Sequence, residues 1–175
     1  IMKGADEPSE KNIVIYSDII FDKELISKLL KKEGDIILAV DNTYKKTHLR
    51  NKKLELVVTE HSPCGSVRMI NTGRDNRILN IGRDIPGSKA HYEFIGLACL
   101  TQKGLNILAK EYQKAMGKTS KSRSKAKSVE KLSFADFIQY IIKKGHNVLA
   151  HEVTSGWMEV HNFNDYKNAS SILSE

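Results

Sequence analysis

Apolar residues along this chain follow two rhythms, one of strands and one of amphipathic helices. From Asn12 to Phe21 (Asn-Ile-Val-Ile-Tyr-Ser-Asp-Ile-Ile-Phe) β-branched and aromatic residues dominate, which predicts a buried strand running into a loop. Asp22 then stands where a helix cap belongs, and Leu25, Ile26, Leu29 and Leu30 share one face of the helix that follows. Lys31 and Lys32 suit the negative end of its dipole, and Gly34 ends it. A second strand covers Asp35–Asp41. Strand, short helix and strand make the βαβ pattern, which predicts a parallel pair joined by a right-handed crossover.

The middle of the chain changes rhythm. Leu54–Thr59, Val67–Ile70 and Ile78–Ile81 read as short strands separated by turn residues (Pro63, Gly65, Gly73, Asp75-Asn76), so residues 46–90 are expected to form a β-rich antiparallel insertion. Glu93–Leu100 returns to the main sheet, and Thr101 caps a helix over Gln102–Met116. Ser133 and Asp136 form the S-x-x-D signature of a capping box, ahead of a helix with Phe134, Phe137, Ile138, Ile141 and Ile142 on its core face. A strand at Asn147–Val153, a short strand at Trp157–Val160 and a helix from about Asn164 complete the pattern. The expectation is one α/β domain over residues 1–175, a mixed sheet flanked by helices.

Composition adds boundaries. The 175 residues, 40% hydrophobic and 28% charged, suit one domain with a real core. No apolar run approaches the roughly 20 residues that span a bilayer, and the acidic start (Asp6, Glu7, Glu10) is unlike a secretory signal. Cys64 and Cys99 stand apart, without the spacing of a zinc site or a disulfide framework, and a reducing, cytoplasmic setting is expected. The net charge is +7, and the stretch from Lys110 to Lys131 holds eight basic residues against two acidic ones. Residues 117–131 thus read as a solvated basic loop; without interleaved aromatics it gives single-strand nucleic-acid binding little support. The chain opens Ile1-Met2, which reads as a trimmed piece or a fragment.

Candidate chemistry sits at two places. Asp18 follows an apolar strand at the edge where open α/β sheets bind ligands, well placed to hold Mg²⁺ against nucleotide phosphates, or else simply capping the turn. Glu159 and His161 alternate, so a strand would project both to one face, as a pair able to join Asp18 around a metal or as an exposed edge pair. His is an unusual ligand for Mg²⁺ and better suited to Mn²⁺ or Zn²⁺. Trp157, the only tryptophan, suits a core position.

Four stretches in order carry a family resemblance: Ser17-Asp18-Ile19-Ile20-Phe21, Leu56-Val57-Val58-Thr59, Ala90-His91-Tyr92-Glu93-Phe94-Ile95-Gly96-Leu97-Ala98, and Gly156-Trp157-Met158-Glu159-Val160-His161. The series resembles the nucleotidyltransferase domains linked to phosphoenolpyruvate mutases in phosphonate biosynthesis, and the related phosphocholine-type cytidylyltransferases. The resemblance implies a Rossmann-like nucleotidyltransferase fold and a Mg²⁺ site (Mn²⁺ as the alternative) on Asp18 and Glu159, the catalytic residues, with His161 where an Asp is common. It places Glu93, Gly96 and Trp157 at the acceptor pocket, Glu93 facing a cationic group. It also implies partners: a nucleoside triphosphate, and a phosphonate or phosphocholine-like acceptor.

Family members open with a strand, a glycine-rich loop and a lysine that bind the triphosphate. No such loop precedes Asn12 or recurs later; Gly73-Arg74-Asp75 and Gly82-Arg83-Asp84 read as tight turns. The N-terminal nucleotide-binding half is therefore expected to be missing, the chain alone inactive, and a partner chain or self-association expected to cover the sheet edge at Ile13–Tyr16. The other readings are a non-catalytic binding or assembly module built on that fold, and a polyanion binder using Lys110–Lys131.

Overall fold

A computed structural model describes residues 10–45, 53–63, 76–119 and 132–173. Its strands are β1 (Lys11–Ile15), β2 (Ile19–Phe21), β3 (Ile36–Asp41), β4 (Leu56–Thr59), β5 (Asn76–Gly82), β6 (Tyr92–Thr101), β7 (Leu149–Val153) and β8 (Trp157–Glu159). Its helices are α1 (Lys23–Lys31), α2 (Gln102–Thr119), α3 (Phe134–Lys143) and α4 (Phe163–Leu173). Six strands form one mixed sheet in the order β1-β6-β3-β7-β5-β4; β4 also pairs with the start of β6, and β2 and β8 form a separate two-stranded ribbon.

The α/β architecture with a mixed sheet is as the sequence predicts, but the first βαβ unit is not a hydrogen-bonded pair. β1 and β3 are both antiparallel to β6, so they run the same way with β6 between them. The reason lies in β6 itself. Its residues are buried from Tyr92 to Leu100, apolar on both faces, and such a strand belongs at the centre with a partner on each edge. The parallel partner of β3 is β7, paired from Ile37↔Leu149 to Asp41↔Val153. β4 and β5 are antiparallel and join the main sheet. The expected strand at Val67–Ile70, the Gly73-Arg74-Asp75 turn, Cys64 and most of the basic loop (120–131) lie outside the described residues.

Alternation divides the core between two faces of the sheet. Ile36, Leu38, Val40, Phe94, Ala98 and Leu100 face α2 and α3, whose Leu105, Leu108, Ile138 and Ile141 are buried against them. Ile37, Ala39, Ile95, Leu97 and Cys99 face the other way, toward Leu25 and Leu29 of α1 and the ribbon residues Ile19, Phe21 and Trp157. The capping box of α3 forms as predicted: Asp136 N–H donates to Ser133 Oγ (3.1 Å) and Ser133 N–H to Asp136 Oδ2 (3.3 Å). Thr101 Oγ1 caps α2 by accepting from Gly104 N–H at 3.1 Å. No helix among the described residues is long and apolar enough to cross a membrane.

Candidate functional site

The apolar run Asn12–Phe21, read as a strand running into a loop, holds two short strands with a break at Tyr16–Asp18. β1 ends at Ile15, and β2 leaves the sheet to pair with β8. That break delivers Asp18 to the other end of the chain. Ile19 pairs with Glu159, Ile20 with Met158 and Phe21 with Trp157. Two backbone bonds close the ladder: Val160 N–H donates to the Asp18 carbonyl (2.8 Å), and Asp22 N–H donates to the Gly156 carbonyl (2.7 Å). Gly156 turns the chain into β8 with φ of +83°, a conformation that favours glycine.

The ribbon gathers Asp18, Glu159 and His161, residues 143 positions apart at the extremes of the group, 18 and 161. His161 Nε2 lies 3.0 Å from Glu159 Oε2, and His161 Nδ1 lies 3.8 Å from Asp18 Oδ2. The start of α4 fixes the histidine's backbone. Its N–H donates to Asp165 Oδ2 (2.9 Å), while Asn162 Oδ1 accepts from Asn164 N–H (2.8 Å) and Asp165 N–H (3.1 Å), capping the helix.

Behind this group stands Asp41, which ends β3 at its carboxyl end and is 3% exposed. Asp41 Oδ2 accepts from Trp157 Nε1 at 2.6 Å and Oδ1 from Thr43 N–H at 2.6 Å. Glu93, also buried, is the register partner of Asp41 on β6, so the two carboxylates stand side by side on one face. Burial first, and the charge of Glu93 second, push the Tyr44 phenol above its usual range. Trp157 is thus part of the same constellation, packed against the core under α1 and holding β8 to the end of β3.

Gly96 serves a different neighbour. It has φ of +80°, its carbonyl accepts from Tyr16 N–H (2.9 Å), and a Cβ there would meet the Tyr16 ring at 2.7 Å. Its bareness admits Tyr16, two residues before Asp18. Tyr16 in turn donates from its hydroxyl to Glu55 Oε2 (3.0 Å), and Arg83 pairs with Glu55 Oε1 at 3.1 Å. Burial, then the charge of Glu55, raises the Tyr16 phenol well above the normal tyrosine range.

Asp18, Glu159 and His161, the expected metal set, are neighbours at the ribbon. Among the described residues, no group of three or more His, Cys, Asp and Glu is placed to hold one ion. The physical reason is His161, whose two ring nitrogens face different carboxylates rather than a shared centre. The donor chemistry of Asp18 and Glu159 alone still suits Mg²⁺, which takes one or two carboxylates and completes its shell with water and substrate phosphates.

Many solved structures share this arrangement of strands and helices, among them the following two. The inositol-1-phosphate CTP transferase from T. maritima superposes with a TM-score of 0.62 at 17% identity, covering 99% of this chain and 58% of that one. A protein from Bacillus anthracis assigned as a glucose-1-phosphate thymidylyltransferase, solved in complex with a sucrose, gives 0.54 at 12% identity, covering 98% and 56%. The fold is that of the nucleotidyltransferases. This chain spans little more than half the length of either nucleotidyltransferase structure. No protein-family model matches the chain, and no curated protein is significantly similar to it.

Sequence reasoning missed Asp41, Tyr16, Glu55 and the Asn162–Asp165 cap. Two had signals. Asp41 closes an apolar strand just as Asp18 follows one, and N-x-x-D before an amphipathic run is a cap signature. Tyr16 and Glu55 meet across 39 residues, and no local pattern announces that contact.

Proposed function

We propose that this chain is the part of a nucleotidyltransferase that carries the cation-binding carboxylates, and that the whole enzyme transfers a nucleotidyl group, cytidylyl by resemblance, from a nucleoside triphosphate to a phosphorylated or phosphonate acceptor. The observation that carries the reading is the β2–β8 ribbon, which brings Asp18 and Glu159 to one imidazole on a nucleotidyltransferase fold. One structural neighbour is by its own name an inositol-1-phosphate CTP transferase, which supports an anionic acceptor.

In the proposed reaction an acceptor oxygen attacks the α-phosphorus in line. The new O–P bond forms as the bond to the β-phosphate oxygen breaks, and its electron pair leaves with pyrophosphate. A phosphate or phosphonate oxygen is already anionic near neutral pH, so positioning and charge compensation matter more than a general base. Asp18 and Glu159 would hold Mg²⁺, which when bound offsets charge on the α-phosphate and the incoming anion. Trp157 and Asp41 keep β8 and Glu159 at the end of the sheet, and the buried Glu93 supplies negative potential on the acceptor side.

Pyrophosphate release with Mg²⁺ and each NTP tests this, using phosphocholine, aminoethylphosphonate and inositol-1-phosphate as acceptors, for this chain and a version extended upstream. Turnover that Asp18→Ala abolishes is the expected result for the extended protein. Silence from both folded proteins would favour the second reading, a non-catalytic binding or assembly module, which the position of His161 between the carboxylates independently supports.

A further inference from the structure

The two carboxylates approach His161 from opposite ends of its ring, Asp18 at Nδ1 and Glu159 at Nε2. The nitrogens of an imidazole point apart, so one ion can use only one of them at a time. Asp18 Oδ2 and Glu159 Oε2 both face the ring, so a cation shared by these two carboxylates would compete with His161 for them. The backbone of His161 does not move easily away from them. Its N–H and that of Asn162 both donate to Asp165 Oδ2, at 2.9 and 3.2 Å, and Asn162 caps α4. The side chain differs: at 44% exposure it has solvent to turn into.

We infer that His161 is an internal occupant of the cation site, a side chain that must turn aside before Asp18 and Glu159 can share a divalent ion. This rests on the reading of those two carboxylates as the cation pair. The consequence is a site with low affinity for the free ion. Nucleotide phosphates, by adding ligands and negative charge, would tip the balance toward the ion and away from the ring. Metal and nucleotide would then bind cooperatively, each favouring the arrangement with His161 turned out. An aspartate at this position would instead add a ligand and leave nothing to displace.

Binding of Mn²⁺ to the nucleotide-free chain, followed by electron paramagnetic resonance at one fixed pH, tests the inference in wild type, His161→Ala, His161→Asp and Asp18→Ala. His161 is exposed, and matching circular dichroism and urea midpoints will show that its variants are folded. His161→Ala is expected to bind Mn²⁺ about tenfold more tightly than wild type, the order expected for removing one hydrogen bond to a charged partner. His161→Asp should bind more tightly still, and Asp18→Ala should lose the site. Unchanged affinity in His161→Ala would make the ring a bystander, and weaker affinity would make it a ligand; either result overturns the inference while leaving the carboxylate pair intact. No Mn²⁺ bound by wild type, His161→Ala or His161→Asp would overturn both the inference and the cation-pair reading.

Discussion

Trp157 Nε1 donates to Asp41 Oδ2 across 2.6 Å, and this one bond ties the two-stranded ribbon to the carboxyl end of the central strand β3. Both partners are drawn from distant sequence. Asp41 is 3% exposed, so its carboxylate oxygens are satisfied by specific donors, the indole and the Thr43 amide, rather than by water. Glu159 sits two residues along β8 from Trp157, on the same face of the ribbon. The indole therefore sets where Glu159 stands as well as how firmly the ribbon is held.

Trp157→Phe keeps most of the apolar bulk and removes the donor. It is expected to lower unfolding stability by about 1–3 kcal/mol, the usual cost of leaving a buried polar group short of a partner. Asp41→Ala should cost at least as much, since it strands both the indole and the Thr43 amide, and Asp41→Asn should cost less because an acceptor remains. Urea denaturation measures all three. A Trp157→Phe midpoint equal to wild type would mean that the bond does not anchor the ribbon.

Much of this was legible in the sequence, because the legible parts are local. The α3 helix announces itself by apolar spacing and a capping box, and both form. β3 and β6 read as strands because they are nearly continuous apolar runs. Asp18 and Glu159 were legible one at a time, each by its place beside a strand. What stayed hidden is pairing. The partner of β1 is β6, the Asn12–Phe21 run divides between two sheets, and Tyr16 finds Glu55. Strand register is fixed by which faces can be buried together, and a single strand's alternation does not name its neighbour. His161 shows the same limit: its spacing from Glu159 put both on one face, but only the fold places Asp18 at the opposite ring nitrogen.

Gly96 gives a prediction with two separable causes. Gly96→Ala must tolerate φ of +80° and a Cβ 2.7 Å from the Tyr16 ring. The backbone conformation alone costs an alanine about 1 kcal/mol or more, and overpacking adds about 1–3 kcal/mol. The variant should therefore be strongly destabilised. Adding Tyr16→Ala should recover the packing part of the loss introduced by the methyl group and leave the backbone part, so the two substitutions should be markedly non-additive in a double-mutant cycle. Additive losses would place the ring out of contact with residue 96.

Three groups point to a weakened acid side. The hydrogen bond from Lys103 chiefly, helped by Thr101, lowers the Asp35 carboxyl below its usual range, against a partial upward push from burial. Lys114 chiefly, with His146, does the same for Glu111. Burial, and then Lys32 and Lys28, lowers the His151 imidazole. For all three the unfolded chain binds protons more readily than the folded one, so stability rises with pH across their titration and falls as pH drops. Urea midpoints should decline first as pH falls through the usual histidine range, and again through the usual carboxylate range. His151→Asn should flatten the first decline, and Asp35→Asn or Glu111→Gln the second. Declines of unchanged size in these variants would show that the groups do not carry the effect.

On the alkaline side the determining pair is Tyr16 and Glu55. Tyr16 Oη donates to Glu55 Oε2 at 3.0 Å, and Glu55, 7% exposed, also receives Arg83 at 3.1 Å. Burial is the largest cause of the raised tyrosine, and the Glu55 charge is next. A phenol held protonated in the folded state stabilises the fold fully below the ordinary tyrosine value, about 10, and that stability is lost as pH rises through the elevated value. Glu55→Gln removes the charge but leaves the burial. Its Tyr16 should titrate earlier than in wild type in an ultraviolet difference titration, yet still later than an exposed tyrosine. Arg83→Ala should shift it the opposite way, because the nearby guanidinium favours the phenolate. If Glu55→Gln left the Tyr16 titration where it is, burial alone would account for the shift, and the hydrogen bond that steadies the chain just ahead of Asp18 would be without electrostatic weight.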